Sequence, residues 1–429
     1  MTLVLLNARL IDPATDYDGP GAVWIEGERI ADVAFGAAIA PPEGAEVVDC
    51  QGRALAPGIV DIGVSVGEPG ARHRESLRSA GRAAAAGGVT TMVVQPDTTP
   101  AIDDPAILEF VLRRAAETSP VRVHALAALT RGLAGQEMAE IGLLADAGAL
   151  GFADADSCVA DARVLRRCLA YAGGLGALVI HHPQEPRLSQ GVATESEFSG
   201  RLGLPGVPAM AERIGLERDL ALVELTGARY HADALTTAGS LAVLARARDA
   251  GLAVSAGTTI HHLALNEIDI GEYRTFFKLD PPLRAEEDRA AVAQALADGL
   301  IDVIASGHRP RDEESKRLPF EIADTGAVGL ETLLPAALTL YHAGLMSLPA
   351  LWRALSLAPS RLLGLDTGRL AAGAPADLAL FDPDAPFVLD RFALRSKSRN
   401  TPFDRRRMTG RTLRTIVRGK TVFDRATEG

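Results

Sequence analysis

The chain has 429 residues, 47% of them hydrophobic, and a formal net charge of -11. It can bury a large core and is too long for one average domain. The acidic balance argues against non-specific nucleic-acid binding, which needs basic surface to release counterions, and no apolar run is long enough to span a membrane. The three cysteines, Cys50, Cys158 and Cys168, have no metal-ligand spacing. They read as buried, reduced thiols of a cytoplasmic protein. The stretch from Met1 to Arg9 lacks the basic region and cleavage site of a secretory signal.

Residues 1–56 read as β-rich. Leu3-Val4-Leu5-Leu6, Ala22-Val23-Trp24-Ile25 and Arg29-Ile30-Ala31-Asp32-Val33 are short strands, with a turn at Glu26-Gly27-Glu28. The pattern then changes to strand–helix alternation. Apolar runs rich in β-branched residues fall at 58–64, 89–95, 121–127, 149–153, 177–182, 228–235, 252–256 and 301–306. Segments with helical spacing, such as 75–86, 104–117 and 241–250, separate most of them. Eight strands joined by helices predict an α/β fold, a closed parallel (β/α)8 (TIM) barrel over residues 57–364. The informative residues are then those that finish each strand.

The stretch 185–218, with several Gly and Pro residues, reads as a long irregular loop, either a lid or an interface element. Beyond residue 364 the helical pattern stops. Residues 376–382, 387–389 and 415–423 read as strands again. They are expected to join the N-terminal strands in one small composite β-sandwich domain, residues 1–56 plus 365–429, since neither part has enough apolar surface to stand alone.

The first barrel run leads into Asp61-Ile62-Gly63-Val64-Ser65-Val66-Gly67-Glu68-Pro69-Gly70. Gly87-Gly88-Val89-Thr90-Thr91, Gln95-Pro96-Asp97-Thr98-Thr99-Pro100, Leu202-Gly203-Leu204-Pro205-Gly206 and Lys278-x-x-Pro281-Pro282-Leu283-Arg284 follow in order. Gly329-Leu330-Glu331-Thr332 and Asn400-Thr401-Pro402-Phe403 come last. Together these motifs resemble the dihydroorotases of the amidohydrolase superfamily over nearly the whole chain. The resemblance implies a zinc site at the barrel mouth, where the metal would activate a water and polarise an amide carbonyl.

The residues that the resemblance makes functional are mostly replaced. Gly63 and Ser65 stand where two zinc-binding histidines follow the first strand, and Gly67 where a substrate-holding arginine belongs. Asp154 keeps a carboxylate after the fourth strand, and His182 a histidine after the fifth. Ala234 takes the ligand position after the sixth, His231 being in register with a different family residue. Gly307 stands for the proton-shuttling aspartate after the eighth strand and Arg311 for a histidine. Asp97 replaces a substrate-binding asparagine and would repel an anion. Asp154 and His182 alone fall short of the three protein ligands that a catalytic zinc takes.

This pattern implies a non-catalytic homologue: no metal or other cofactor, no catalytic residue, and a place in an oligomer with aspartate carbamoyltransferase, whose assembly such homologues support in bacteria. The alternative is an active cyclic amidohydrolase with a weakly held zinc on Asp154 and His182 and with His308 as acid/base. In it Asp97, His308 and Arg311 would line the substrate pocket. A third reading makes the emptied mouth a binding site for an anionic or cyclic metabolite. His261-His262 and His124 read as packed residues, Lys278 and Arg284 as structural, and Arg405-Arg406-Arg407 as solvated surface.

Overall fold

The structure, a computed structural model, describes residues 2–427. The alternation of runs produces eight parallel strands: Ile59–Val64, Val89–Val94, Arg122–Ala125 continued by Ala127–Ala128, Phe152–Ala153, Leu178–His181, Arg229–Ala232, Val254–Thr259 and Val303–Ala305. The first three form one ladder and the third to eighth another. The Leu126 N–H joins the two by donating to the Val94 carbonyl at 2.9 Å. Between the eighth strand and the first, the Ser306 N–H donates to Asp61 Oδ1 at 2.8 Å, and the Ser65 N–H donates to the His308 carbonyl at 3.0 Å. The protein is a (β/α)8 barrel. Every residue of its first two strands is buried, as parallel strands covered by helices must be.

Local sequence sets where helices begin. Ser76 and Ser79 form a reciprocal capping box before the Leu77–Ala86 helix. Asp104 caps the Pro105–Thr118 helix, whose first residue is proline. Gly88, at φ +82, then turns the chain from the first helix into the second strand.

The expected loop over 185–218 is overturned from residue 210 onward. Met210–Thr226 is a continuous helix, and the stretch before it holds a short helix, Glu197–Leu202, and a two-strand ladder of Ala193–Thr194 with Gly206–Val207. The buried stripe of the long helix carries two acids, Glu212 and Asp219, among Ala211, Leu216, Leu220 and Val223. Those acids interrupt the apolar period by which a helix is recognised.

A separate sheet of eight strands joins both ends of the chain. Thr2–Asp12 is its hub and pairs with Tyr17–Glu26, Glu46–Asp49 and Ala54–Pro57. Ala54–Pro57 pairs antiparallel with Leu378–Val388, one long strand where two short ones are expected. The expected strand at 415–423 is a hairpin of Arg407–Val417 and Lys420–Asp424. Arg418 and Gly419, at φ +52 and +69, make the tight turn that a hairpin of this twist needs. The sheet buries its own cluster, including Leu3, Leu10, Val23, Ile25, Leu378 and Ile416.

Trp352 ties the two parts together. It is fully buried, stacks on Phe381 of the sheet at 4.5 Å, and donates from Nε1 to the Pro57 carbonyl at 2.9 Å. Cys50 and Cys168 are buried, whereas Cys158 is partly exposed, with Arg218 Nη2 3.4 Å from its Sγ. His124 is half-buried rather than core. Among the described residues no helix is long and apolar enough to cross a membrane.

Candidate active site

The C-terminal ends of the barrel strands surround a cavity of about 40 Å³. Its walls include Gly63, Asp156, His182, Asp233, Asp280 and Arg309. Water needs about 10–15 Å³ of such space per molecule, so the cavity has room for only about three waters. Ligand sites span roughly 300–1,000 Å³.

Arg309 is the cation of this mouth. Its Nη2 lies 2.7 Å from Asp156 Oδ1, its Nε 3.0 Å from Asp156 Oδ2, and its Nη1 donates to the Gly63 carbonyl at 2.5 Å. The side chain is 12% exposed. Burial works against its charge, and the carboxylates of Asp156, Asp97 and Asp233 overcome that cost, so its pKa is raised. Burial pushes Asp156 up, but Arg309 more than compensates and holds it down at about 2. Burial dominates at Asp97, Asp233 and Asp280, which are all shifted upward.

The two surviving polar positions do not converge. Asp154 accepts from the Leu129 N–H at 3.0 Å, the Thr130 N–H at 2.9 Å and the Thr130 hydroxyl, and it does not line the cavity. It is consumed in fixing the loop after the third strand. His182 does line the cavity. It is 3% exposed, and its Nε2 lacks a hydrogen-bond partner and sits 3.9 Å from Asp280 Oδ1.

The other polar positions face other partners. The Ser65 hydroxyl donates to Asp97 Oδ2 at 2.5 Å, while Asp97 Oδ1 is buried without a hydrogen-bond partner. His308 is fully buried outside the cavity, accepts at Nδ1 from the Gly329 N–H at 3.2 Å, and has Nε2 3.6 Å from Glu75 Oε2. Arg311 Nε donates to the Thr325 carbonyl at 2.6 Å. His231 bonds Ser255 at 2.7 Å.

His262 is satisfied by Thr259 and the Pro281 carbonyl, and His261 stacks on Phe403 at 5.8 Å. Burial lowers the pKa of both rings, to about 4 and about 3. Lys278 donates to two carbonyls, and buried Arg284 donates to Thr236 at 3.0 Å. Arg405 and Arg407 are exposed, but Arg406 is drawn inward by Asp269 and the Phe277 ring.

Residues 52–240 match the dihydro-orotase-like family. Over 98% of its length the chain is 41% identical to a protein named dihydroorotase from Anaplasma phagocytophilum, covering 95% of that protein. It is 37% identical over 99% of its length to the dihydroorotase of Pelobacter propionicus, covering 100% of that protein. The chain belongs to the dihydroorotase family. Two solved structures share its fold. L-hydantoinase from Arthrobacter aurescens superposes with a TM-score of 0.88 at 23% identity, covering 98% of this chain and 96% of that one. D-hydantoinase from Thermus sp. does so with 0.82 at 23% identity, covering 98% and 95%.

For a dihydroorotase relative the donor set is unusual. Among the described residues no group of three or more His, Cys, Asp or Glu side chains is arranged to hold a metal ion. Gly63 and Ala234 offer no side-chain donor. At Gly307 the backbone has φ +59, and an added Cβ would lie 3.0 Å from Thr259 Cβ and 3.1 Å from His261 Nδ1. The residues present do not fit a catalytic zinc, which takes three protein ligands and an open position.

Sequence reasoning missed Arg309, Asp156, Asp233 and Asp280 as site residues. The available signal was position: Arg309 follows the eighth strand by a few residues, and Asp156 follows Asp154 by two. Ala155, at φ +52, turns the chain between those two acids.

Proposed function

We propose that this protein is a non-catalytic, dihydroorotase-like subunit of pyrimidine biosynthesis that supports the assembly of aspartate carbamoyltransferase. One observation carries the reading: the Arg309 guanidinium lies on Asp156 and the Gly63 carbonyl at the mouth of the barrel. A guanidinium keeps a positive charge there. It offers no open coordination position and cannot make a bound water acidic, as a catalytic metal does. The size of the cavity supports the same reading, and so do the missing side chains at Gly63, Ala234 and Gly307.

In this reading no zinc is held and no residue of the mouth touches a reacting atom. The test is co-purification. The protein and its cognate carbamoyltransferase are expected to co-elute, and carbamoyltransferase activity is expected to fall when this chain is omitted. Separate elution with unchanged activity would overturn the reading.

A second reading, an active cyclic amidohydrolase with a weakly held zinc, is favoured by the unpartnered Nε2 of His182 in the cavity and by the names of the relatives. It predicts hydrolysis that chelation and His182→Ala both abolish. Elemental analysis after zinc loading and desalting separates the two readings. The non-catalytic subunit retains far less than one equivalent, and the hydrolase close to one.

A further inference from the structure

The Leu77–Ala86 helix lies in the barrel wall with every residue buried except two, Arg78 and Arg82. They stand four residues apart, so they share a face, and like charges at that spacing repel. Neither has a carboxylate or other hydrogen-bonding partner among the described residues. Most arginines around them are answered: Arg72 and Arg114 both reach Glu68 Oε1 at 3.1 Å.

Both arginines open into a groove on the outer wall that shares no lining residue with the cavity at the barrel mouth. One section, of about 570 Å³, is lined by Arg78, Arg82, Thr118, Ser119 and Arg395. The other, of about 400 Å³, adds Arg72, Arg114 and Lys397. Arg78, Arg82 and Arg395 belong to both sections. Six cations therefore line the groove against two acids, Glu68 and Glu117, on a chain whose net charge is -11. Each section falls within the size range of small-molecule sites. The arginine-bearing helix, 10 residues long, runs about 15 Å along the groove.

We infer that this groove binds a polyphosphate chain, with Arg78 and Arg82 forking onto its oxygens. Guanidinium groups match phosphate oxygens two at a time, and a ligand with more than one phosphate can reach both sections past the shared arginines. The aromatic ring of the groove, Phe423, is 4% exposed and covered by Arg395 and Arg425 at 5.4 and 5.2 Å. It offers no free face on which a base could stack, so the recognised chemistry is the phosphate chain. That chain is either inorganic or part of a nucleoside triphosphate. The inference is independent of whether the barrel mouth is catalytic.

The test is titration calorimetry of the full-length protein at physiological salt, with inorganic phosphate, sulfate, pyrophosphate, triphosphate and ATP as probes. Pyrophosphate or triphosphate is expected to saturate a single site at least about tenfold more tightly than phosphate or sulfate. The double variant Arg78→Gln/Arg82→Gln is expected to lose at least about tenfold in affinity with its melting temperature unchanged, both side chains being exposed. Arg78→Lys/Arg82→Lys, which keeps the charge and loses the forks, should fall between the two.

ATP equal to triphosphate assigns the site to the inorganic chain, and ATP tighter than triphosphate assigns it to a nucleotide. Absence of saturation, sulfate binding as tightly as pyrophosphate, or undiminished binding by the Gln double variant would each overturn the inference.

Discussion

The Arg309 guanidinium grips both oxygens of Asp156 at the mouth of the barrel, with Nη2 2.7 Å from Oδ1 and Nε 3.0 Å from Oδ2. Three carboxylates, Asp156, Asp97 and Asp233, depend on that one side chain. Replacing it by methionine removes their main cation and leaves the weaker effect of Arg311 on Asp156 and Asp97. Arg309→Met is expected to cost about 1–3 kcal/mol, less than a fully buried pair would because the Asp156 side chain is 35% exposed, read by urea unfolding. Zinc should shift the melting temperature of neither Arg309→Met nor the parent, because among the described residues no three ligands are arranged to hold it. Stabilisation of Arg309→Met alone would show that the arginine covers a metal site.

Rebuilding the family's side chains is expected to fail. Gly307→Asp places a Cβ 3.0 Å from Thr259 Cβ on a backbone at φ +59. That combination of crowding and strain costs about 1–3 kcal/mol. The quadruple variant Gly63→His/Ser65→His/Ala234→His/Gly307→Asp should show no dihydroorotate ring closure while Arg309 remains. Measurable turnover would mean that Arg309 yields to a metal.

Asp219 organises the buried wall behind the fifth and sixth strands. Its Oδ2 lies 2.6 Å from His181 Nδ1 and accepts from the Tyr230 hydroxyl at 2.7 Å, and its Oδ1 pairs with Arg218 at 2.7 Å. The Val159 N–H donates to His181 Nε2 at 3.0 Å, an arrangement that the neutral ring accepts. Tyr230→Phe, which removes one bond, should cost about 1 kcal/mol. Asp219→Ala, which strands three partners, should cost about 3–5 kcal/mol. Equal losses in denaturation would remove Asp219 as the hub.

Lys316 gives a pH signature. Its ammonium is buried and donates to the carbonyls of Thr275 at 3.0 Å and Asp324 at 2.5 Å. Burial, with Arg311 nearby, brings its pKa from 10.5 down to about 7. Between those values the unfolded chain holds a proton that the folded one has released. Stability therefore rises with pH across the window, by at most about 1.4 kcal/mol per unit from this group. Below the window Lys316 is charged in both states and adds no slope. Lys316→Met should flatten the rise in unfolding free energy between about pH 7 and pH 9.

The barrel was legible from the alternation of short apolar runs, some rich in Val and Ile such as Ile59–Val64 and Val89–Val94, with segments of helical spacing. The Met210–Thr226 helix was not, because Glu212 and Asp219 lie on its buried face and carry hydrogen bonds there. At the mouth the sequence located the replaced positions, since a missing side chain can be read from a motif. It did not reveal what fills the space. Asp154 turns toward Thr130, while Asp156 faces Arg309. Two residues of chain reverse the role of a carboxylate, and the backbone angle at Ala155 that does so leaves no mark in composition.

The pairing of Ala56 with Ala379 sets an order of events during synthesis. Ala54–Pro57 leaves the ribosome early, and its antiparallel neighbour, Leu378–Val388, arrives only after the whole barrel has been made. Until then the early strands present an open edge, which is prone to wrong pairing. The Trp352–Phe381 stack closes in the same late interval, because Phe381 lies on the arriving strand. A nascent chain stopped just short of that strand would carry an almost complete barrel and an unfinished sheet. Quality control in the cell would meet it as a single exposed seam rather than as a disordered polypeptide.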